Sequence, residues 1–157
     1  MVGNEFARIL VPMDGSDYSK RAASKAIALG KKLDSQIVFL TAVSSAAVPT
    51  PGQMLGILKD DKRLQKAMHE LICTIRMEIT KMLKKQVADC EKAGIRADYE
   101  VLEGEPVEAI LGYAQKFKPD LIVIGSHGLS GLSKVKALGS VSRNVSELAK
   151  CPVMIVR

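Results

Sequence analysis

Ala7-Arg8-Ile9-Leu10-Val11-Pro12-Met13-Asp14-Gly15-Ser16 is an apolar run that stops abruptly at a carboxylate, a glycine and a hydroxyl. A run this short, closed by turn-forming residues, reads as a buried strand over Ala7–Met13 that leaves its sheet through Asp14-Gly15-Ser16. A helical pattern over Ser19–Leu33 follows, with Ala22, Ala23, Ala26, Ile27 and Gly30 on one side, and then a second apolar strand, Ile37–Val43. From Leu64 onward apolar residues recur at Met68, Leu71, Ile72, Ile75, Ile79, Met82, Leu83 and Cys90. That spacing of three and four predicts a long amphipathic helix, with Gly94 as its stop.

The alternation continues to the end of the chain. Ile95–Leu102 is a third strand whose mixed polarity suits a sheet edge. Glu105-Pro106 opens a helix through Phe117, with proline tolerated in the first turn. Asp120–Ile124 is the most apolar strand and runs into a glycine-rich stretch. A last helix falls near Ser140–Lys150, and Pro152–Val156 is a terminal strand. Strands alternating with helices imply βαβ units, right-handed crossovers and one parallel α/β sheet. Ser44–Leu58, with two prolines and two glycines, reads as a long loop; its apolar residues give it the character of a cover.

Composition narrows the class. The chain has 157 residues, a length suited to a single domain over 1–157 that buries about 68–70% of its unfolded surface. No apolar run approaches the roughly 20 residues that span a bilayer, and the first residues lack the pattern of a signal peptide. The cytoplasm is the expected compartment. Of the three cysteines, Cys73 and Cys90 share the long helix roughly 25 Å apart, too far for a disulfide, and are expected to be reduced and packed. The net charge of +6 raises a nucleic-acid partner, since clustered cations release counterions from phosphates. Here the cations are interleaved with acids, as in Lys59-Asp60-Asp61-Lys62-Arg63, which describes a solvated face. With three Phe, three Tyr and no Trp there is little to stack bases on. Nucleic acid is not the expected partner.

In open parallel sheets ligands bind beyond the carboxyl ends of strands, where neighbouring connections leave to opposite faces. Two segments occupy such ends: Asp14 after the first strand, and Gly125-Ser126-His127-Gly128-Leu129-Ser130-Gly131 after the fourth. A carboxylate accepts hydrogen bonds from ribose hydroxyls. Glycines let backbone N–H groups approach phosphate, and the helix starting near Gly139-Ser140 adds its positive dipole end.

Ile9 to Ser16, Gly125-Ser126-His127-Gly128, Gly139-Ser140-Val141-Ser142 and the ending Cys151-Pro152-Val153-Met154-Ile155-Val156, in this order, resemble the universal stress protein family over nearly the whole chain. The resemblance implies a Rossmann-like, five-stranded parallel sheet of order 3-2-1-4-5, related to the adenine nucleotide alpha hydrolases. It also implies dimerisation through the last strand and an adenine nucleotide, ATP or else ADP or AMP, with Mg²⁺ able to arrive on its phosphates. The nucleoside contact then falls on Asp14, with Pro12 and Met13 beside it, and the adenine pocket on Ala42. The phosphate-loop positions fall on Gly125, His127, Gly128, Gly139, Ser140, Val141 and Ser142. One feature departs from the family: nine residues usually separate the second glycine from the Gly-Ser pair, whereas Leu129–Leu138 makes ten. Lys134 and Lys136 are candidates to supply charge to phosphates.

Competing chemistries find less support. Asp14 also suits a plain turn, with Ser16 or Asp17 capping the next helix. Ser126 and His127 do not read as nucleophile and base, because consecutive side chains of an extended segment point apart. There is no Gly-x-Ser-x-Gly elbow and no P-loop. His69 reads as a surface residue, and two histidines and three cysteines show no metal-ligand spacing. The apolar Val153–Val156, at a sheet edge, calls for a partner strand, which a C2 dimer supplies. Three functions follow. The first is an ATP-binding dimeric stress-response protein in which nucleotide stabilises or switches. The second is an interaction module of the same fold that binds no nucleotide, and the third a slow ATP hydrolase.

Overall fold

A computed structural model describes residues 5–44, 61–129 and 137–157. Five strands, β1 (Arg8–Pro12), β2 (Gln36–Val43), β3 (Ala97–Glu103), β4 (Leu121–Gly125) and β5 (Val153–Val156), form one sheet of order β3-β2-β1-β4-β5. Every pairing is parallel, with Ile9 opposite Ile37 on one side and Leu121 on the other. Four helices are described: α1 (Asp17–Leu33), α2 (Lys62–Lys92), α3 (Pro106–Phe117) and α4 (Ser140–Leu148). The expected order and class are met, with boundaries shifted by no more than two residues. No described helix is long and apolar enough to cross a membrane. Ser45–Leu58, most of the expected covering loop, lies outside the described residues, as do Ser130, Gly131, Lys134 and Lys136.

Alternation along each strand divides the core in two. Ile9, Val11, Met13, Ile37, Phe39, Leu121 and Val123 face α1 and α2, where they meet Ala22, Ala23, Ala26, Leu83 and Cys90. Leu10, Val38, Leu40, Ile122 and Ile124 face the other way, against Ile110 of α3 and Val145 of α4. The central strands must be apolar at every position because both faces are covered; β4 is buried throughout. β3, at the edge, alternates between half-buried and exposed residues, as its mixed composition predicts.

The helices start where the sequence supplies caps. Ser16, in extended conformation, accepts the Ser19 N–H at 3.1 Å, a cap of the kind that contributes about 1 kcal/mol. Asp61 does the same for α2, accepting from Arg63 and Leu64. Pro106 stands at the start of α3, where its missing N–H costs no helical bond.

Candidate functional site

β1 and β4 are neighbours, yet the chain leaves β1 toward the α1 face and leaves β4 toward the α4 face. The gap between these departures is the topological switch point of the sheet. Gly15, with φ +85°, lets the chain turn sharply after β1. The Asp14 carboxylate then reaches both sides of the gap: Oδ1 accepts the Ser16 N–H at 2.9 Å, and Oδ2 accepts the Leu129 N–H at 3.1 Å across 115 residues of sequence. Turn residue and convergent carboxylate are therefore the same group. Each oxygen keeps a second lone pair, and Asp14 is exposed, so it can still accept from a ligand hydroxyl.

Gly128 makes this bridge possible. A Cβ there would lie 2.8 Å from Asp14 Oδ2, on the carboxylate itself. Gly125 has a different physical reason: a Cβ would stand 2.7 Å from the Tyr18 carbonyl carbon and 2.8 Å from Ser19 N. Its missing side chain seats the first turn of α1 on the end of β4. The two glycines were read alike from sequence, and the structure gives one to packing and the other to the crevice.

Ser126 and His127 correct the expectation that their side chains diverge. Ser126 Oγ lies 2.9 Å from His127 Nδ1, and His127 Nε2 lies 2.7 Å from the Ala137 carbonyl. A carbonyl only accepts, so Nε2 carries the hydrogen; in the neutral ring Nδ1 accepts from the Ser126 hydroxyl. The chain turns after β4, which removes the alternation on which the expectation depended. A hydroxyl donating to a ring whose other nitrogen is held resembles a nucleophile beside its base, but Ser126 is fully buried and out of reach of a substrate, so the pair pins the loop. The His127 ring also rests against Tyr18, with centroids 5.0 Å apart.

Beyond the undescribed part of the loop the chain returns to the same place. Gly139 N–H donates to the Ser126 carbonyl at 2.9 Å, and the buried Ser142 hydroxyl reaches the same carbonyl at 2.9 Å. The flanks of the loop with the extra residue are thus fixed against each other. α4 begins here with glycine as its N-cap, so the N–H groups of Ser140, Val141 and Ser142 form an uncapped first turn with positive dipole character. The Ser142 hydroxyl is spent on Ser126 and Gly139, which leaves its backbone as what it can offer a ligand.

The remaining sequence candidates are placed around this gap. Pro12 and Met13 are buried; Met13 N donates to Leu40 O at 2.7 Å and its carbonyl accepts from Thr41 Oγ1 at 2.9 Å. Both lie in the core at the carboxyl end of β1. Ala42, half-buried, lies two residues beyond Leu40 at the carboxyl end of β2, on the face shared with Val38 and Leu40. The sequence reading missed Thr41 and Tyr18, took Ser16 only as a helix cap and weighed Ser126 only as a nucleophile. Ser16 also donates from its hydroxyl to the His127 carbonyl at 3.3 Å. A serine closing a strand and another inside a glycine loop were the available signals; nothing in sequence pairs Tyr18 with His127.

An open, doubly wound α/β sheet with a carboxylate on one side of its switch point and a helix N-terminus on the other defines a class of ligand-binding fold. Within it, this chain belongs to the universal stress protein family, whose model matches residues 5–157. It is 36% identical over 152 residues to the universal stress protein YxiE of Bacillus subtilis, covering 97% of this chain and 99% of that one. Among solved structures it resembles the universal stress protein UspA of Lactobacillus plantarum, with 25% identity, a TM-score of 0.80, and coverage of 97% and 98%. A universal stress protein in complex with cAMP is similar at 25% identity and TM-score 0.65, covering 97% of each chain. One from Archaeoglobus fulgidus, in complex with dAMP, aligns at 20% identity and TM-score 0.64, over 97% and 98%.

Proposed function

We propose that residues 1–157 act as one adenine-nucleotide-binding domain in a homodimer, with bound ATP, ADP or AMP serving to stabilise or switch the protein. The observation that carries this reading is the Asp14–Leu129 hydrogen bond, which draws the carboxylate and the glycine loop into one crevice beside the α4 N-terminus. Asp14 accepts from the ribose, Ala42 lies toward the base, and the backbone N–H groups at Gly128 and Ser140–Ser142 meet phosphate. That a similar universal stress protein is solved in complex with cAMP supports an adenine nucleotide as the ligand class. Mg²⁺ would accompany a polyphosphate. Among the described residues His127 has both ring nitrogens held by the protein and is not free to activate a water, which favours binding over turnover.

β5 pairs with β4 on one side only, and its four residues stay half-buried; a symmetric partner strand along Pro152–Val156 would cover that edge. All three cysteines are free, which suits a reducing compartment such as the cytoplasm. Equilibrium binding of ATP to wild type, Asp14→Ala and Gly128→Val tests the site. Removing a charged acceptor costs about 1.5–3 kcal/mol, so Asp14→Ala is expected to bind roughly ten- to a hundredfold more weakly, and Gly128→Val, whose side chain meets the same carboxylate, to bind more weakly as well; equal affinities would refute the site. The ten residues between Gly128 and Gly139 favour the second reading, an interaction module without nucleotide, which predicts no thermal shift on adding ATP.

A further inference from the structure

Far from the switch point, α2 carries His69, Cys73 and Met77 at successive steps of four residues. Side chains at this spacing are neighbours on one helix face. His69 Nε2 and Cys73 Sγ lie 3.6 Å apart. Both residues are exposed, and Met77, one turn further along, is 69% exposed. The sequence reading expected Cys73 to be packed and found no ligand spacing among the histidines and cysteines. Cys73 stands on the solvent-facing side of α2, beside the buried Ile72, which explains the first difference, and the helical period explains the second.

We propose that His69, Cys73 and Met77 form a binding site for a soft monovalent metal cation of the Cu(I) type. The Cys73 thiolate and His69 imidazole are its two fixed ligands, and the Met77 thioether is the third. With bonds of the length zinc makes, about 2.3 Å to sulfur and 2.0 Å to imidazole, a bound ion subtends an S···N edge of about 3.5–3.7 Å. The pair already stands at that separation. Thiolate, thioether and imidazole are the donors that soft ions select, while zinc asks for four ligands and calcium or magnesium for oxygen. Among the described residues no third His, Cys, Asp or Glu completes a cluster here. Glu70, the one acid between Leu64 and Met77, faces Lys66 at 4.0 Å. Methionine, unbranched with three rotatable bonds, can swing to an ion held one turn away.

Binding exchanges a proton for the metal. Cys73 gives up its S–H proton to solvent, the sulfur–metal bond takes its place, and the cation remains monovalent throughout. The other two thiols do not compete: Cys90 is buried and its pKa is pushed up to about 11 by that burial and by neighbouring acids, and burial also raises the pKa of Cys151.

Reduced protein titrated without oxygen against a chromophoric Cu(I) chelator tests the site. One equivalent is expected to be withheld from the chelator. Cys73→Ser and His69→Ala should each weaken binding by at least about tenfold, Met77→Leu by less, and Cys151→Ser not at all. X-ray absorption should show sulfur and a single imidazole on the metal. All three ligands are exposed, so circular dichroism should find the variants folded. No withheld copper in wild type, or wild-type affinity in His69→Ala, which would reduce the site to a bare thiol, overturns the proposal.

Discussion

The two ends of the sheet differ in what they offer a ligand. At the amino ends of β4 and β5, where α3 and α4 finish, a cavity of about 480 Å³ is lined by Leu111, Ala114, Pro119 and Leu148, with Lys118 and Lys150. At the carboxyl ends of β1 and β4 stand a shared carboxylate, a pinned loop and the starts of two helices. Helices that end at a cavity present carbonyls, whereas helices that begin at a crevice present N–H groups. The first end has volume and the second has directed donors, and an anionic ligand is recognised by donors.

The sharpest way to break this contrast is Gly125→Val. The new side chain meets the backbone of Tyr18 and Ser19, which cannot rotate away, so the α1–β4 seam must open at the crevice end. A loss of about 3 kcal/mol is expected by urea denaturation; wild-type stability would show that the seam is loose. Ser142→Ala comes next. It removes a buried hydroxyl that ties the start of α4 to the Ser126 carbonyl, with an expected cost of about 1 kcal/mol, and calorimetry should register weaker nucleotide binding as the α4 end loosens. The smallest effect belongs to the opposite end. Leu148 is 62% exposed, so Leu148→Ala should change stability by no more than about 0.5 kcal/mol. Its ATP affinity should equal that of wild type, and a marked drop would move the binding site toward the amino-end cavity.

Much of the fold was legible in the chain. Apolar runs of the right length, bounded by Asp14-Gly15, Gly94 and Pro106, located every described strand and helix to within a few residues, because two-sided burial of β1 and β4 requires continuous hydrophobicity. The crevice was legible at Asp14 and Gly128, where a carboxylate and a glycine follow strands that the topology makes neighbours. It was not legible at Gly125, whose need for a missing Cβ comes from Tyr18, more than a hundred residues away. Nor was it legible at Ser126 and His127, where a turn replaces the extended geometry that separates adjacent side chains. Cys73 and His69 lay in plain view at a helical step, but which side of α2 faces solvent depends on where the sheet stops.

Periodicity and punctuation, which are local, determined the elements, their order and hence the parallel sheet. Tertiary structure decided which groups share a partner: that the Asp14 carboxylate meets the Leu129 N–H, that Ser142 and Gly139 close on one carbonyl, and that His127 is held by Ser126 and Ala137. Those contacts join residues distant in the chain, and their geometry depends on strand register and helix seating, which no single stretch of sequence encodes.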